Sequence, residues 1–307
     1  MELFLAACLV AGTPLLLAIL GEIITEKSGS LNLGVEGMMI LGSLGAFVTA
    51  YTTKNPILTL IVGMIAGGLG ALIFAFLTVT LRANQTVTGL ALTIFGTGVA
   101  NFLGKKYVGQ IVPENVKQFF AAKKLPILGD IPFLGNIFFN QSIFIYLAVA
   151  IVILTGLYVY KTKYGLTLTS IGENPAAADS AGINVNLYKY VHIVYGGALC
   201  GLAGAFLSIV YVPAWQESLT AGKGWIAVAL VIFCKWNPYR VFLGAYIFGG
   251  LDILGFRIQH LDIKISQYFI DMLPYLVTIV ILVISSVKKD KTFGPKALGN
   301  NFFREER

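Results

Sequence analysis

Long stretches without a single Asp, Glu, Lys or Arg dominate this chain and leave few folds open to it. Leu3–Gly21, Gly37–Thr53, Asn55–Leu81, Ala83–Gly104, Ile131–Tyr160 and Tyr190–Gln216 are all of this kind. A bilayer core about 30 Å thick is crossed by about 20 helical residues, so each run has room for one span. Charged residues make up only 12% of the chain, about half the roughly 25% of an ordinary soluble domain. A soluble fold is excluded on both counts.

Beyond Gln216 the pattern is broken. The apolar stretches Trp225–Cys234, Val241–Leu251 and Met272–Val287 are flanked by Lys235, Asp252 and Asp271. Counting a span for each predicts an all-α, polytopic membrane bundle of about nine helices, within a range of eight to ten. Residues 1–287 form one transmembrane domain, and 288–307 form a tail. The short stretches after Gly222 and Val241, punctuated by glycine, have the form of broken membrane helices. Leu5-Ala6-Ala7-Cys8 has the look of a lipoprotein cleavage box, but no basic region precedes it, so the first run is kept as a span.

Glycine is abundant, 34 residues of 307, and sits inside the apolar runs. Gly63/Gly67 and Gly197/Gly201 have the small-xxx-small spacing that lets helix backbones approach, which argues for a packed bundle. The net charge of +7 comes from basic residues at run ends and in loops, with no basic helix or aromatic-basic interleaving, so no nucleic-acid partner is expected. Cys8, Cys200 and Cys234 lie in apolar segments without disulfide or metal spacing. His192 and His260 stand alone, no metal or other cofactor site is indicated, and no catalytic constellation is present. Gly222-Lys223 lacks the P-loop spacing, so any ATP that drives this chain binds elsewhere.

The tail 288–307 carries six Lys/Arg, which positive-inside bias places in the cytoplasm. Alternation then puts Lys27, Arg82, Lys161, Lys163, Lys189, Lys235 and Arg240 inside and the N-terminus outside. The outer loop Lys105–Gln141 runs against that bias, with Lys105, Lys106, Lys117, Lys123 and Lys124. The inner loop Lys161–Lys189 contains Gly172-Glu173-Asn174-Pro175-Ala176-Ala177-Ala178-Asp179-Ser180-Ala181-Gly182. Asn174 suits an N-cap, Pro175 the first helical position and Gly182 a left-handed stop, which predicts a short helix between them. So short a helix needs something to pack on.

Ionisable and amide groups in apolar surroundings mark pathways or interior contacts. They are Glu22, Asn32, Glu36, Asn101, Asp252 and Asp271. Asn32 and Glu36 fit either a structural cap or a pathway. Thr93, Thr97 and Asn101 repeat every fourth residue beside Gly89 and Gly96, a polar stripe that suits a solute path and close helix packing equally. Tyr51, Tyr160, Tyr211, Trp215, Trp225 and Trp236 sit at run ends and read as interface-belt aromatics.

The run Glu26-Lys27-Ser28-Gly29-Ser30-Leu31-Asn32-Leu33-Gly34-Val35-Glu36-Gly37-Met38-Met39 resembles the signature of ABC-importer permeases for nucleosides and simple sugars. Arg82 to Gly89, Gly129 to Gln141, Gly172 to Ile183 and Thr220 to Pro238 are similar to the nucleoside branch, while Trp225 and Cys234 depart from its pattern. Ribose-type and branched-chain amino-acid permeases share the plan. The resemblance implies a bacterial-type plasma-membrane location and a second, usually non-identical permease. It also implies an ABC ATPase on separate chains and an extracytoplasmic solute-binding lipoprotein. Glu173, Asn174, Pro175, Ala176, Ala177, Asp179 and Gly182 become the ATPase-coupling helix, and Asn32, Glu36, Thr93, Thr97 and Asn101 candidates for the solute pathway. The rival class is an ion-coupled carrier that uses Glu36, Asp252 or Asp271.

Overall fold

The structure, a computed structural model, describes residues 2–126, 128–259, 269, 272–273, 275–280, 283 and 294–304. His260, Asp271 and most of the tail lie outside these residues. Six helices among the described residues are long and apolar enough to cross a membrane. They are α1 (Glu2–Lys27), α2 (Val35–Thr53), α3 (Pro56–Ala75, prolonged by a π-helical turn to Thr80), α4 (Gln85–Gly104), α7 (Ile143–Lys161) and α10 (Val185–Phe206, prolonged by a π-helical turn to Tyr211). The outer loop adds α5 (Glu114–Phe120) and α6 (Leu134–Phe138). The inner loop adds α8 (Lys163–Glu173) and α9 (Pro175–Ser180), and α11 (Lys223–Phe233) and α12 (Val241–Gln259) follow. The six unambiguous runs therefore each yield a span, whereas the expected total of nine rests partly on residues outside the described set.

Glycine decides how these helices meet. A Cβ at Gly67 on α3 would lie 2.5 Å from the Cα of Gly201 on α10, and one at Gly201 would lie 2.9 Å from the Cα of Gly67. The two small-xxx-small motifs thus face each other, and Gly42 on α2 abuts Gly201 from a third side. With no hydrophobic drive between helices in lipid, such backbone contact supplies the packing. α1 is buried along most of its length among α10, α11 and α12, while α3, α4 and α7 turn exposed Ile, Leu and Phe outward.

Loops segregate to two ends. At one end Glu2 accepts a hydrogen bond from Asn136 (2.9 Å), Asn115 donates to the carbonyl of Lys54 (2.7 Å), and β1 (Ala122–Lys124) pairs antiparallel with β2 (Asn140–Ser142). That pairing, followed by Ser142 as an N-cap, starts α7 at Ile143, so the apolar run from Ile131 contributes its first part to the loop. The opposite end collects residues 28–34, 82–84, 162–184, 234–240 and 294–304. The expected short helix is there as α9, capped by the Asn174 side chain accepting from Ala177 N at 3.0 Å, with Gly182 at φ +81°. The sequence reading missed α8, whose four buried residues, Gly165, Leu168, Ile171 and Gly172, repeat at helical spacing.

Candidate functional site

Glu36 is held by a broken span. After Tyr211 the chain leaves helix and docks on the outer loop, with Trp215 N donating to Gln110 O and Gly109 N to Trp215 O, each at 3.0 Å. It then turns back through positive-φ residues Ser218, Ala221 and Gly222 and enters α11, whose 11 residues are about half of a membrane-crossing length. At this break the Glu36 carboxylate accepts from Thr220 Oγ1 (2.5 Å) and Gly222 N (2.9 Å) on one oxygen, and from Gly224 N (2.6 Å) on the other. Glu36 itself lies in the first turn of α2, so two helix N-termini converge on one buried anion. Three donors and two dipoles offset its desolvation. A Cβ on Gly224 would fall 2.5 Å from the Cα of Glu36, so only glycine admits this approach.

The site lies among spanning helices, inward from their ends. Gly37 packs on Leu92 and Thr93, and Leu92 is seven residues, about 10 Å, along α4. Next to Glu36, Lys223 forms an ion pair with Asp252 on α12, the two side chains only 12% and 18% exposed, and its ammonium lies 5.5 Å from the Tyr211 ring centre. The Tyr275 hydroxyl occupies the space beside Gly222 where a Cβ would point. Charges at this depth are costly unless paired. Here each carboxylate has its partner inside the chain.

The other sequence candidates are arranged around the 31–37 turn. Asn32 donates from its backbone (3.1 Å) and its side chain (3.3 Å) to the buried Glu22 carboxylate and accepts from Gly34 N at 2.9 Å, tying that turn to α1. One turn along α1, Glu26 accepts from the Trp236 indole. Thr93 donates to Leu33 O (3.0 Å) and Thr97 to Thr93 O (2.9 Å), while Gly89 and Gly96 abut Leu33 and Gly37. The Thr93 end of the stripe therefore lies against the start of α2. Asn101, two turns beyond Thr93, buries its Oδ1 without a partner among the described residues. His192 is engaged by Tyr188 O (2.7 Å) and the Tyr158 hydroxyl (2.9 Å), as a packing histidine is. The three cysteines are buried and free.

At the far end α9 is fastened by residues 294–304. Ala297 N donates to Gly172 O (2.9 Å) and Gly299 N to Gly29 O (3.3 Å). Asn301 accepts from Gln85 (3.0 Å) and donates to Arg82 O (2.6 Å). Phe302 packs with Ile171, Ala178 and Val185, and Arg304 pairs with Asp179 at 3.3 Å. A polar cavity of about 320 Å³ remains between this strand of chain and the Gly182–Asn186 turn.

A family model described as a branched-chain amino acid transport system permease component matches residues 4–282. The chain belongs to this permease family. Among similar proteins, the nucleoside ABC transporter permease protein NupC of Lactococcus lactis subsp. cremoris is 33% identical, covering 100% of this chain and 98% of that one. The guanosine ABC transporter permease protein NupQ of Bacillus subtilis matches with the same identity and coverage. TsgC13 of Haloferax volcanii, provisionally assigned as a glucose ABC transporter permease protein, is 36% identical over 98% of this chain and 97% of its own. As an ABC permease the chain is a transport subunit of the plasma membrane that works with an ATPase and a solute-binding protein.

For this permease, sequence reasoning singled out Glu36 but missed its donors Thr220, Gly222 and Gly224. The signal was present: a Thr-Ala-Gly-Lys-Gly run before a half-length apolar stretch is what a helix break with exposed amides requires.

Proposed function

We propose that this permease carries nucleosides inward as one half of a heteromeric ABC importer. The observation that carries the reading is full-length similarity to two relatives named for nucleoside and guanosine transport. In this reading the chain crosses the membrane nine times. The crossings are α1 to α4, α7, α10, the re-entrant segment with α11, then α12 and a final stretch from Met272. This leaves the N-terminus outside and the tail inside, in line with the basic residues at the α9 end. α9, with Glu173, Asn174, Pro175, Ala176, Ala177, Asp179 and Gly182, is the contact for the ATPase. Its motion reaches the 31–37 turn, where Asn32, Glu36 and Thr93 meet, with Thr97 and Asn101 lining the path beyond. Residues 1–287 act as one transmembrane unit, with 288–307 as a cytoplasmic tail.

ATP-dependent uptake by vesicles holding the assembled importer tests this, with labelled guanosine and uridine against glucose. Uptake of a nucleoside, blocked by excess unlabelled nucleoside and indifferent to glucose, is the expected result. Uptake of glucose alone would transfer the chain to a sugar branch, which the Haloferax relative favours. An ion-coupled carrier has less to stand on, since Glu36 and Asp252 are both engaged by groups of the chain itself.

A further inference from the structure

A second cavity, of about 250 Å³, opens at the α9 end of the bundle and is lined by Lys27, Tyr160, Lys235, Trp236, Asn237 and Arg240. Lys27 ends α1, Tyr160 lies in the last turn of α7, and Lys235 to Arg240 lead into α12, so the cavity sits at the level where spans meet the headgroups. Its lining includes the cations Lys27 and Arg240, and the lining residues among those described hold no carboxylate. The nearby Glu26 carboxylate is taken by the Trp236 indole, Glu173 acts on Lys27 from outside the lining and is shared with Lys296 at 4.0 Å, and the Lys27 ammonium stands 5.8 Å from the Tyr160 ring centre. Lys235 and Trp236 both hold positive φ, 51° and 52°, a strained turn that surrounding structure must hold in place.

The walls continue into the membrane. Gly156 on α7 makes room for the Tyr239 ring, whose approach would stop 2.5 Å from a Cβ there, and Tyr239 stacks on Tyr160 at 6.0 Å. From this junction Leu157 and Leu154 on α7 and Leu243 and Ile247 on α12 run outward, all four exposed. A ligand that fits cations at the interface and alkyl rows below it is an amphiphile with an anionic head.

We infer that this cavity binds the phosphate headgroup of an anionic phospholipid, with Lys27 and Arg240 on the phosphate and the acyl chains along α7 and α12. The lipid fastens the end of α1, which carries Glu22 and Glu26, to the turn before α12. Two residues are removed in the test, Lys27→Gln with Arg240→Gln, in the full chain assembled with its ATPase. The complex is placed in nanodiscs of mixed phosphatidylcholine and phosphatidylglycerol, extracted into detergent, and its retained lipid measured by mass spectrometry.

The wild type is expected to retain phosphatidylglycerol selectively. The double variant is expected to lose that selectivity by about 30-fold, the share of two cations in headgroup attraction. Arg240→Lys should keep it, and so should Lys163→Gln, which removes a cation at the same end but outside the cavity. Equal retention by wild type and double variant overturns the inference. So does loss with Lys163→Gln as large as with the double variant, which would make the attraction a general property of this end. Displacement of the retained lipid by glycerol 3-phosphate or inorganic phosphate would overturn the lipid assignment in favour of a free-phosphate site. Arg240→Lys guards against misfolding, because a folded conservative variant that fails to bind also contradicts the model.

Discussion

Glu36 meets its three donors in one orientation only, which makes the conservative change informative. In Glu36→Gln an amide NH2 replaces one oxygen and faces either Gly224 N or the pair Thr220 Oγ1 and Gly222 N, donor against donor. Hydrogen bonds to charged groups contribute about 1.5–3 kcal/mol each, so a loss of about 3 kcal/mol is expected. Thermal unfolding of the detergent-solubilised protein reads it as a lowered midpoint; an unchanged midpoint would mean that the carboxylate is not held as described. The Lys223–Asp252 pair makes a different prediction. Removing one partner of a largely buried pair costs about 3–5 kcal/mol, whereas replacing both with apolar residues is close to neutral. Lys223→Leu and Asp252→Leu should each lower the folded fraction recovered after heating, and the double variant should regain most of it. A double variant worse than either single change would point to a role beyond mutual neutralisation.

Among the elements, the crossing of α2, α3 and α10 depends on missing side chains. Gly201→Val sets a branched side chain against the backbone of Gly67 and should abolish monodisperse protein in size-exclusion chromatography. Gly98→Ala, with no atom within 4 Å of its Cβ position, should be neutral or gain up to about 1 kcal/mol from helix propensity. α9 is tested by coupling. Its cap and left-handed stop were readable from Asn174, Pro175 and Gly182 because capping is local. Asp179→Arg puts a cation beside Arg304 and should lower solute uptake per ATP hydrolysed while the chain still inserts. Unchanged stoichiometry of uptake to hydrolysis would remove α9 from the coupling route.

Across the whole molecule, residues 294–304 join three loops that the chain order keeps far apart, at Gly29, Arg82 and Gly172. The end of α8 and the 28–34 turn are thus tied to one another by backbone hydrogen bonds through this strap, while α9 is joined to it by the Arg304–Asp179 pair. Ending the chain at Gly294 should leave membrane insertion intact and loosen this tie, read as faster amide exchange at residues 28–34 and 172–183. Exchange as slow as in the full chain would show that the loops hold without the strap.

The apolar runs, the glycine spacing and the cap of α9 were determined by the sequence itself, because bilayer thickness, backbone approach and capping act over a few residues at most. What only the tertiary structure decided is who answers each buried polar group. Glu36 stands 184 residues from Thr220 and Asn301 stands 216 from Gln85, and no local rule links such distances along the chain. The Thr93–Thr97–Asn101 stripe shows the same limit: its periodicity was plain, yet that its Thr93 end lies against α2 depended on Gly37 meeting Thr93 and Gly96. In a membrane interior every donor and acceptor must find a partner inside the protein. The sequence marks which groups carry that demand, and the packing of the helices chooses the partner.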